Sequence, residues 1–349
     1  MSNSPPIGFA IVGSGMIADF HAAAIAQTSG ARLVAVYSRG AAGRAAFAEK
    51  HACRAAASIG ELVGDPAVRA VCVTTPSGAH AEAAVPFLEA GKAVLCEKPL
   101  EVSLAAVDRI LDAERRGGGM LAGVFQMRLG RGARLLKAAI EAGRFGRLTL
   151  CSAYVKWWRA PEYYASSGWK GTLALDGGGA LINQGIHAVD LLQWFAGMPA
   201  EVSAFSAALV HPIEAEDTLV ASLRFRHGGF GVIEAATSAW PGADLRIEIN
   251  GERGAAALVN DRLVRWEFAE SQPGDAAVLA PNDGPEIKSG ASSAGAMSGE
   301  GHRLLVADLV AALREGRAPM IPGAEARDAV ALVLAIYESA RTGRPVRIE

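Results

Sequence analysis

A glycine-rich turn between a predicted strand and a predicted helix constrains the fold of this chain more than any other feature. The apolar run Ile7–Val12 leads into Gly-Ser-Gly-Met-Ile-Ala at residues 13–18, and a helical pattern continues to about Thr28. The first glycine permits a tight turn, the second lets backbone approach a pyrophosphate, and the alanine permits close helix–strand packing. The helix start favours phosphate through its N–H groups and dipole. The turn therefore predicts a dinucleotide site, with contacts expected from Gly13, Ser14, Gly15, Met16 and Ile17.

The end of the second predicted strand bears on which dinucleotide is bound. The strand Ala31–Tyr37 is followed by Ser38 and Arg39. An acidic residue here would hydrogen-bond the ribose of NAD, whereas an arginine accommodates the 2′-phosphate of NADP. The sequence therefore favours NADP over NAD, with Ser38 and Arg39 as cofactor-binding residues. The alternative is an ordinary solvated arginine after a strand.

Strands and helices alternate over the first 125 residues. The further predicted strands are Val71–Thr75, Ala93–Cys96 and Met120–Phe125, and the predicted helices are Ala41–His51, Ala79–Ala90 and a segment from the N-cap Ser103 to about Arg116. This alternation implies βαβ units and a mainly parallel sheet. We therefore expect an α/β, Rossmann-type dinucleotide-binding domain over residues 1–125.

The pattern changes near Gln126, where we place the start of a second, α+β domain over residues 126–349. Between Glu201 and Phe268 the chain gives repeated strand-like runs without long helices, which predicts an open, mainly antiparallel sheet. The segment Glu270–Gly301 is rich in small and polar residues and is predicted to be a loop. Two amphipathic helices are predicted at about Gly301–Arg314 and Ala324–Thr342.

Composition fits a globular protein of two domains and narrows the classes of partner. The chain has 349 residues, 51% of them hydrophobic, and a formal net charge of −2, which argues against nucleic acid or a polyanionic surface. No apolar run is long enough to span a bilayer, and Met1–Pro6 does not resemble a signal peptide. The four cysteines show no paired spacing, so we expect reduced thiols, no metal site and a cytoplasmic protein.

The triplet Glu97, Lys98 and Pro99 follows the predicted strand Ala93–Cys96. Open α/β sheets bind their ligands at the carboxyl ends of the strands, which is where this lysine lies. The proline restricts the backbone and permits a cis peptide bond, which would aim the lysine into a cleft. Most such triplets are surface turns, so the interpretation depends on the motifs on either side.

A second set of polar residues follows the triplet Gly177–Gly179. Asn183, His187 and Asp190 are spaced i, i+4 and i+7, so they would share one face of a helix. Histidine is well suited to proton transfer near neutral pH. A single histidine in a helix is nevertheless more often a hydrogen-bonded core or surface residue, and spacing alone does not show whether it reaches the same cleft as Lys98.

Aromatic and basic residues are concentrated between Lys156 and Lys170. Three of the six tryptophans lie there, together with Arg159, Tyr163 and Tyr164. This composition suits stacking on a sugar and pairing with a carboxylate or phosphate, although a buried corner would look the same. Gln126 and Arg128 at the domain junction could line a cleft or brace the interface.

The order of these motifs closely resembles the glucose–fructose oxidoreductase / inositol dehydrogenase / rhizopine catabolism (Gfo/Idh/MocA) family. The resemblance covers nearly the whole chain and rests on residues 13–18, Thr75–His80, Gly91–Pro99, Gly177–Asp190 and Ala335–Gly343. It implies a Rossmann domain, a C-terminal sheet domain and association into homodimers or homotetramers through that sheet. It also implies cofactor contacts from Thr75, Pro76, His80, Glu97 and Lys98.

The resemblance assigns roles to three residues. Lys98 matches the lysine that contacts substrate near the nicotinamide, and His187 matches the position used as acid/base. Asn183 stands where many members carry aspartate, and because an amide cannot ionise, it would orient the substrate by hydrogen bonds. Similar sugar-nucleotide oxidising members share this Asn-Gln pair. The expected substrate-binding residues are Lys98, Arg128, Trp157, Arg159, Tyr163, Trp169, Asn183 and His187.

The resulting hypothesis is an NAD(P)-dependent enzyme that transfers hydride between the nicotinamide and a secondary alcohol of a sugar, inositol or sugar nucleotide. The Lys-Trp-Trp-Arg and Tyr-Tyr pattern looks like that of members acting on nucleotide-linked amino-sugar acids. Two alternatives remain: a cofactor-retaining glycosidase and a non-catalytic, nucleotide-sensing protein. The sequence does not identify the sugar, the oxidised carbon or the direction of the reaction.

Overall fold

The computed structural model describes residues 5–280, 287 and 299–348. The chain forms two compact units. The first comprises Met1–Gln126 and Gly299–Arg327, and the second comprises Met127–Ser298 and Asp328–Glu349. The sequence-based boundaries of 1–125 and 126–349 differ from this division, because the late segment Gly299–Arg327 belongs to the first unit.

Fourteen strands and eleven α-helices are formed by the residues described. The strands are β1 (Ile7–Val12), β2 (Ala31–Tyr37), β3 (Arg54–Ala55), β4 (Ala70–Val73), β5 (Ala93–Cys96), β6 (Met120–Gly123), β7 (Leu148–Lys156), β8 (Pro199–Ala207), β9 (Thr218–Phe225), β10 (Phe230–Ala236), β11 (Arg246–Gly251), β12 (Gly254–Val259), β13 (Arg262–Phe268) and β14 (Val346–Arg347). The helices are α1 (Met16–Gln27), α2 (Ala41–Lys50), α3 (Ile59–Gly64), α4 (His80–Glu89), α5 (Leu104–Gly117), α6 (Arg131–Glu141), α7 (Pro161–Ala165), α8 (Ile186–Ala196), α9 (Asp275–Val278), α10 (Glu300–Glu315) and α11 (Gly323–Thr342).

The first unit contains a six-stranded parallel sheet in the order β3-β2-β1-β4-β5-β6. Strands β1, β4 and β5 are buried along their whole length, because helices cover both faces of the sheet. This order confirms the predicted Rossmann-type α/β fold, in which the ligand lies where the strand order reverses, between β1 and β4. The carboxyl ends of β1, β4 and β5 thus bring the sequence motifs that follow them to one edge.

Local capping fixes helix α5 as the sequence predicted. Ser103 is the N-cap, and its Oγ accepts a hydrogen bond of 3.3 Å from the backbone N–H of Ala106. Gly118 ends the helix in the left-handed conformation, with φ of 69°. The helix therefore begins and ends at residues that satisfy its terminal backbone groups.

The second unit contains an eight-stranded sheet in the order β13-β12-β11-β7-β10-β9-β8-β14. Strands β7 and β10 pair in parallel, and the other neighbouring strands pair antiparallel. The predicted, mainly antiparallel sheet is therefore confirmed, with one parallel pair at its centre. The short edge strand β14 was not predicted, because its two residues carry no alternating pattern of their own.

One face of this second sheet is exposed. Strand β9 alternates between buried and outward residues, and Val220 on its outward face is 44% exposed. In register beside it, Phe205 on β8 is 78% exposed. Phe230 and Leu150, which pair across β10 and β7, are also exposed. Two pairs of large apolar side chains, Phe205 with Val220 and Phe230 with Leu150, are thus exposed on one face of the sheet.

Two predicted segments differ in local structure from the expectation. The predicted helix Ala180–Phe195 begins as a π-helical segment, Ala180–Gly185, and continues as α8. The predicted loop Glu270–Gly301 contains the short helix α9, and its residues 281–286 and 288–298 lie outside the described part of the chain. None of the helices described combines the length and the apolar character that crossing a bilayer requires.

Candidate active site

The glycine turn after β1 has the geometry that a dinucleotide site requires. Gly13 has φ of +126°, and a Cβ placed on it would lie 2.7 Å from the carbonyl oxygen of Thr74. The backbone N–H of Gly13 donates to the carbonyl of Tyr37 at 2.8 Å. The turn is therefore pinned between the ends of β2 and β4, and only glycine fits at its first position.

Gly15 has open space beside it, because among the described residues no atom beyond its chain neighbours lies within 4 Å of a Cβ placed on it. It is the N-cap of helix α1, whose first N–H groups have no partner within the helix and are therefore free to bind an anion. Ala18 is fully buried, which lets α1 pack closely on the sheet. These residues fit a bound pyrophosphate, which would lie at the exposed Gly15–Met16 segment.

Two arginines and two serines lie near the carboxyl end of β2. Ser14 Oγ donates to Ser38 Oγ at 3.0 Å, and this contact joins the glycine turn to the second strand. Arg39 is exposed, and Arg44 on α2 donates from Nη1 to the backbone carbonyl of Ser38 at 2.7 Å. Sequence reasoning missed Arg44, although its position in the first turns of the helix that follows Ser38 was a usable signal.

His80 joins the turn after β4 to the loop after β5. Its Nδ1 lies 2.9 Å from the carbonyl oxygen of Pro99, and its Nε2 lies 3.0 Å from that of Thr75. Burial lowers the pKa of His80, and a neutral ring donates to only one of these carbonyls at a time. Thr75, Pro76 and His80 therefore lie at the predicted sheet edge, where His80 contacts protein backbone. Their cofactor contacts stay predictions.

Glu97 points into the protein. Its Oε1 lies 2.9 Å from Nε2 of His21 and 3.4 Å from Nε2 of His302, and its Oε2 accepts the backbone N–H of Lys98 at 3.2 Å. Burial alone would raise the pKa of Glu97, but hydrogen bonds from the two histidines hold it well below its usual value. Lys98 is half-buried, and its peptide bond to Pro99 is cis.

In the second unit, the glycine triplet permits close approach between protein segments. A Cβ on Gly178, whose φ is +156°, would lie 2.8 Å from Cζ of Tyr337. A Cβ on Gly179 would collide with the carbonyl oxygen of Glu216. The small residues therefore let this turn pack against Glu216, just before β9, and against Tyr337 of α11.

Glu216 holds the start of the π-helical segment. Its Oε2 accepts the backbone N–H of Gly179 at 3.0 Å, and its Oε1 accepts the N–H of Leu181 and the hydroxyl of Tyr337, each at 2.8 Å. Burial raises the pKa of Glu216. Sequence reasoning missed this residue, because its three partners lie 35 to 121 positions away along the chain.

Asn183 lies in the π-helical segment, and both ends of its side-chain amide are held. Its Nδ2 donates to Asp176, and its Oδ1 accepts from Nε2 of Gln184 at 3.0 Å. Asp176 is buried, and it also accepts the backbone N–H of Gly171 at 2.8 Å. Sequence reasoning missed Asp176, although an acidic residue directly before the glycine triplet was a visible signal.

Gln184 connects Asn183 to the aromatic and basic loop. Its Oε1 accepts from Nε and Nη2 of Arg159 at 3.1 and 2.6 Å, and its Nε2 donates to the hydroxyl of Tyr163 at 2.8 Å. The guanidinium of Arg159 lies 5.4 Å from the centroid of the Tyr163 ring, and Nζ of Lys170 lies 4.0 Å from the same centroid. The structure thus joins Arg159, Tyr163 and Asn183 through Gln184, while their contact with substrate stays a prediction.

The two tryptophans predicted to bind substrate differ in their surroundings. Trp157 is 3% exposed, and the guanidinium of Arg159 lies 4.9 Å from its ring centroid. Trp157 therefore packs within the loop and offers little surface for stacking on a sugar. Trp169 is half-buried, and its carbonyl accepts from Thr172 at 2.7 Å.

His187 lies in the first turn of α8 and is buried. Asp190, which follows it on the same helix, forms a buried bidentate ion pair with Arg128 at 2.8 and 2.6 Å. The structure therefore places the guanidinium of Arg128 against Asp190 and 5.4 Å from the ring centroid of Trp194. Its contact with substrate stays a prediction, and so does the acid/base role of His187.

The two glycines of the turn give a matched pair of substitutions. Gly15→Ala is expected to leave the melting temperature nearly unchanged while weakening dinucleotide binding about tenfold or more, because the new methyl group enters space proposed for phosphate. Gly13→Ala is expected to lower both the melting temperature and the dinucleotide affinity, because its Cβ meets the backbone of Thr74. Thermal denaturation and fluorescence titration measure the two effects, and a Gly15→Ala variant with wild-type affinity would contradict this placement of the phosphate.

Comparisons with known proteins agree with this geometry. Residues 7–124 match the GFO_IDH_MocA model of the oxidoreductase family with an NAD-binding Rossmann fold, and residues 133–257 match the GFO/IDH/MocA C-terminal domain. Among curated relatives, the uncharacterized oxidoreductase YrbE of Bacillus subtilis is 30% identical, covering 72% of this chain and 73% of YrbE. Inositol 2-dehydrogenase of Rhizobium meliloti is 28% identical, covering 75% and 78%.

A solved structure is similar over almost the full length. The WlbA dehydrogenase from Bordetella pertussis, in complex with NADH and UDP-GlcNAcA, is 34% identical with a TM-score of 0.88, and the match covers 99% of both chains. The two family models together span more than half of the chain, one on each side of the boundary between the Rossmann sheet and the second sheet. The chain therefore belongs to the GFO/IDH/MocA family of NAD-binding oxidoreductases.

Proposed function

We propose that the protein transfers hydride between a nicotinamide dinucleotide and a secondary alcohol of a nucleotide-linked sugar acid. One observation carries the choice of substrate: two cations lie close to the Tyr163 ring, with Arg159 Cζ 5.4 Å and Lys170 Nζ 4.0 Å from its centroid. An aromatic ring offers a surface to a sugar, and the cations suit a carboxylate or a diphosphate. The UDP-GlcNAcA bound by the Bordetella protein, which is 34% identical, supports the same class.

The chemistry proposed for this chain divides between three side chains. His187 accepts the proton of the substrate hydroxyl while the carbinol carbon loses its hydride, so that a carbonyl forms. Lys98 donates a hydrogen bond to the same oxygen and stabilises the negative charge that develops on it. Asn183, held by Asp176 and Gln184, fixes the orientation of the sugar. The bound nicotinamide supplies the hydride acceptor, and the reverse reaction uses the same groups.

Substitution of the two proposed catalytic residues tests this function. We expect Lys98→Met and His187→Gln to lower kcat by roughly 100- to 1000-fold, because each removes a group that acts on the reacting oxygen. The affinity for the dinucleotide should stay near that of the wild type. The assay follows absorbance at 340 nm with UDP-linked N-acetylglucosaminuronate, UDP-N-acetylglucosamine and myo-inositol in parallel.

The matched control is His227→Gln, because His227 is an exposed histidine in the hairpin between β9 and β10. This variant should keep wild-type turnover. A Lys98→Met enzyme with near-normal turnover would remove the proposed role of the lysine. Equal activity with UDP-N-acetylglucosamine, which lacks the sugar carboxylate, and with the sugar acid would contradict the assignment of a carboxylate-bearing substrate.

We further propose that the preferred dinucleotide is NADP(H). The strand β2 is followed by the hydroxyl of Ser38 and by Arg39, and no carboxylate stands at its end to hold the ribose of NAD. Arg44, whose Nη1 donates to the Ser38 carbonyl, brings a second positive charge to the same place. The NADH in the Bordetella structure is a property of that protein.

Arg39→Asp distinguishes the two dinucleotides. It is expected to weaken NADPH binding about 10- to 100-fold, because one or two charge-assisted hydrogen bonds to the 2′-phosphate are lost. NADH binding should change little. Arg32→Asp is the control, because Arg32 is exposed at the opposite end of the same strand. Fluorescence titration measures all four affinities, and equal weakening of NADPH and NADH by Arg39→Asp would refute the preference.

We also propose that the exposed face of the second sheet is the surface through which copies of this chain associate. Phe205 and Val220 face outward in register on β8 and β9, and Phe230 and Leu150 face outward in register on β10 and β7. Large apolar side chains exposed on one face of a sheet suit an interaction site on a folded protein. A mainly antiparallel sheet with one uncovered face suits a two-fold interface in which the same patch meets itself.

Charged substitutions on this face should separate the copies. The double variant Val220→Lys/Phe230→Lys is expected to elute as a monomer with unchanged far-ultraviolet circular dichroism, because lysines on both sides of a self-complementary interface repel. Size-exclusion chromatography with light scattering gives the mass. Met320→Lys, a similar change at an exposed methionine of the first unit, should keep the wild-type mass. A monomeric wild type would contradict the proposal.

A further inference from the structure

Three buried side chains from distant parts of the sequence converge beneath the loop that carries Lys98. His21 lies on α1, Glu97 follows β5 and His302 lies on α10. All three are at least nine-tenths buried, and both imidazole Nε2 atoms approach the same carboxylate oxygen, at 2.9 and 3.4 Å. The chain thus buries two titratable rings against one carboxylate, next to the proposed catalytic residue Lys98.

The geometry of this cluster is that of hydrogen bonds rather than of a metal site. The three candidate ligand atoms all lie within 4.8 Å of one another, so the set alone would be compatible with a cation. A metal-binding histidine, however, almost always donates its other ring N–H to an acceptor. Among the residues described, neither Nδ1 of His21 nor Nδ1 of His302 has a hydrogen-bond partner. This geometry fits two rings that each carry a proton on Nε2 and donate it to Glu97.

Electrostatics agree with this assignment of protons. Burial is the largest influence on His21 and lowers its pKa, which favours the neutral ring. The hydrogen bonds from the rings keep Glu97 ionised despite its burial. A buried carboxylate without such donors would carry a large desolvation penalty, so each donor is needed to keep the charge in place.

The carboxylate of Glu97 reaches from this cluster to the backbone of Lys98. Its second oxygen accepts the Lys98 N–H at 3.2 Å, and the carbonyl of the next residue, Pro99, lies 2.9 Å from Nδ1 of His80. The loop is thus held on both sides of the lysine by buried polar groups. A change in the donors to Glu97 would be transmitted to Lys98 through one carboxylate.

We propose that His302 and His21 are positioning residues that act through Glu97 to fix the backbone of Lys98 for hydride transfer. The inference rests on the proposed function for the role of Lys98, but not for the geometry of the cluster. It gives a part in the reaction to helix α10, which follows β13 in sequence and belongs to the first unit. His302 touches neither substrate nor cofactor in this scheme.

The test compares His302→Leu, which removes the donor, with His302→Gln, whose amide can donate to Glu97 in place of Nε2. We expect His302→Leu to lower kcat about 10- to 100-fold, because it removes one hydrogen bond to a buried charge. KM and the dinucleotide affinity should change little. His302→Gln should recover most of kcat. Equal losses in both variants, or an unchanged kcat in His302→Leu, would overturn the proposal.

A second measurement does not depend on turnover. Acetylation of Lys98 by acetic anhydride, followed by peptide mass spectrometry with the exposed Lys50 as internal reference, reports the environment of the amine. We expect its relative rate to change about threefold or more in His302→Leu and to stay near wild type in His302→Gln. A rate that does not respond to His302→Leu would overturn the positioning role even if no substrate had been found. Inactivity of the wild type on every substrate, with the labelling pattern as expected, would instead count against the proposed function.

Metal analysis of the purified protein completes the test. The hydrogen-bonded arrangement predicts no stoichiometric zinc or other transition metal, in the wild type or in His302→Leu. About one metal ion per chain in the wild type that is lost in His302→Leu would overturn the assignment of protons on which the proposal depends.

Discussion

The close approach of the β1 turn to the end of β4 is the constraint on which the first unit depends. Gly13 adopts φ of +126° against the backbone of Thr74, so no side chain fits between the two strand ends. Because the sheet is parallel, the same edge also receives the loop after β5, with Lys98 and its anchor Glu97. The close approach leaves room for a pyrophosphate at the turn, and the parallel pairing of β4 and β5 brings the lysine loop to the same edge.

In the second unit, a buried carboxylate holds the backbone of the segment that carries Asn183. Glu216 accepts hydrogen bonds from two backbone N–H groups and a tyrosine hydroxyl, and these contacts hold the π-helical segment that contains Asn183. Widened helical turns of this type occur frequently at functional sites, since they move a side chain out of regular α-helical register. Asp176 and Gln184 then fix the two ends of the Asn183 amide.

Sequence patterns predicted the features that depend on neighbouring residues, and missed those that depend on distant partners. The glycine turn, the cap at Ser103 and most strands were predicted because turn, cap and alternation signals are local. His302 and Glu97 are 205 positions apart, and no local pattern indicates that they meet. The i, i+4 and i+7 spacing from Asn183 also assumed a regular helix, whereas its first turn is π-helical. Burial of Trp157 likewise follows from packing that the sequence does not show.

The measurement that tests the central claim most directly follows the hydride itself. The protein is incubated with oxidised dinucleotide and a nucleotide-linked sugar acid whose sugar ring carries deuterium on every carbon. The mass of the dinucleotide is then measured by mass spectrometry. Hydride transfer predicts reduced dinucleotide that is heavier by one deuterium. Product formation with no deuterium in the dinucleotide pool would contradict the proposed reaction.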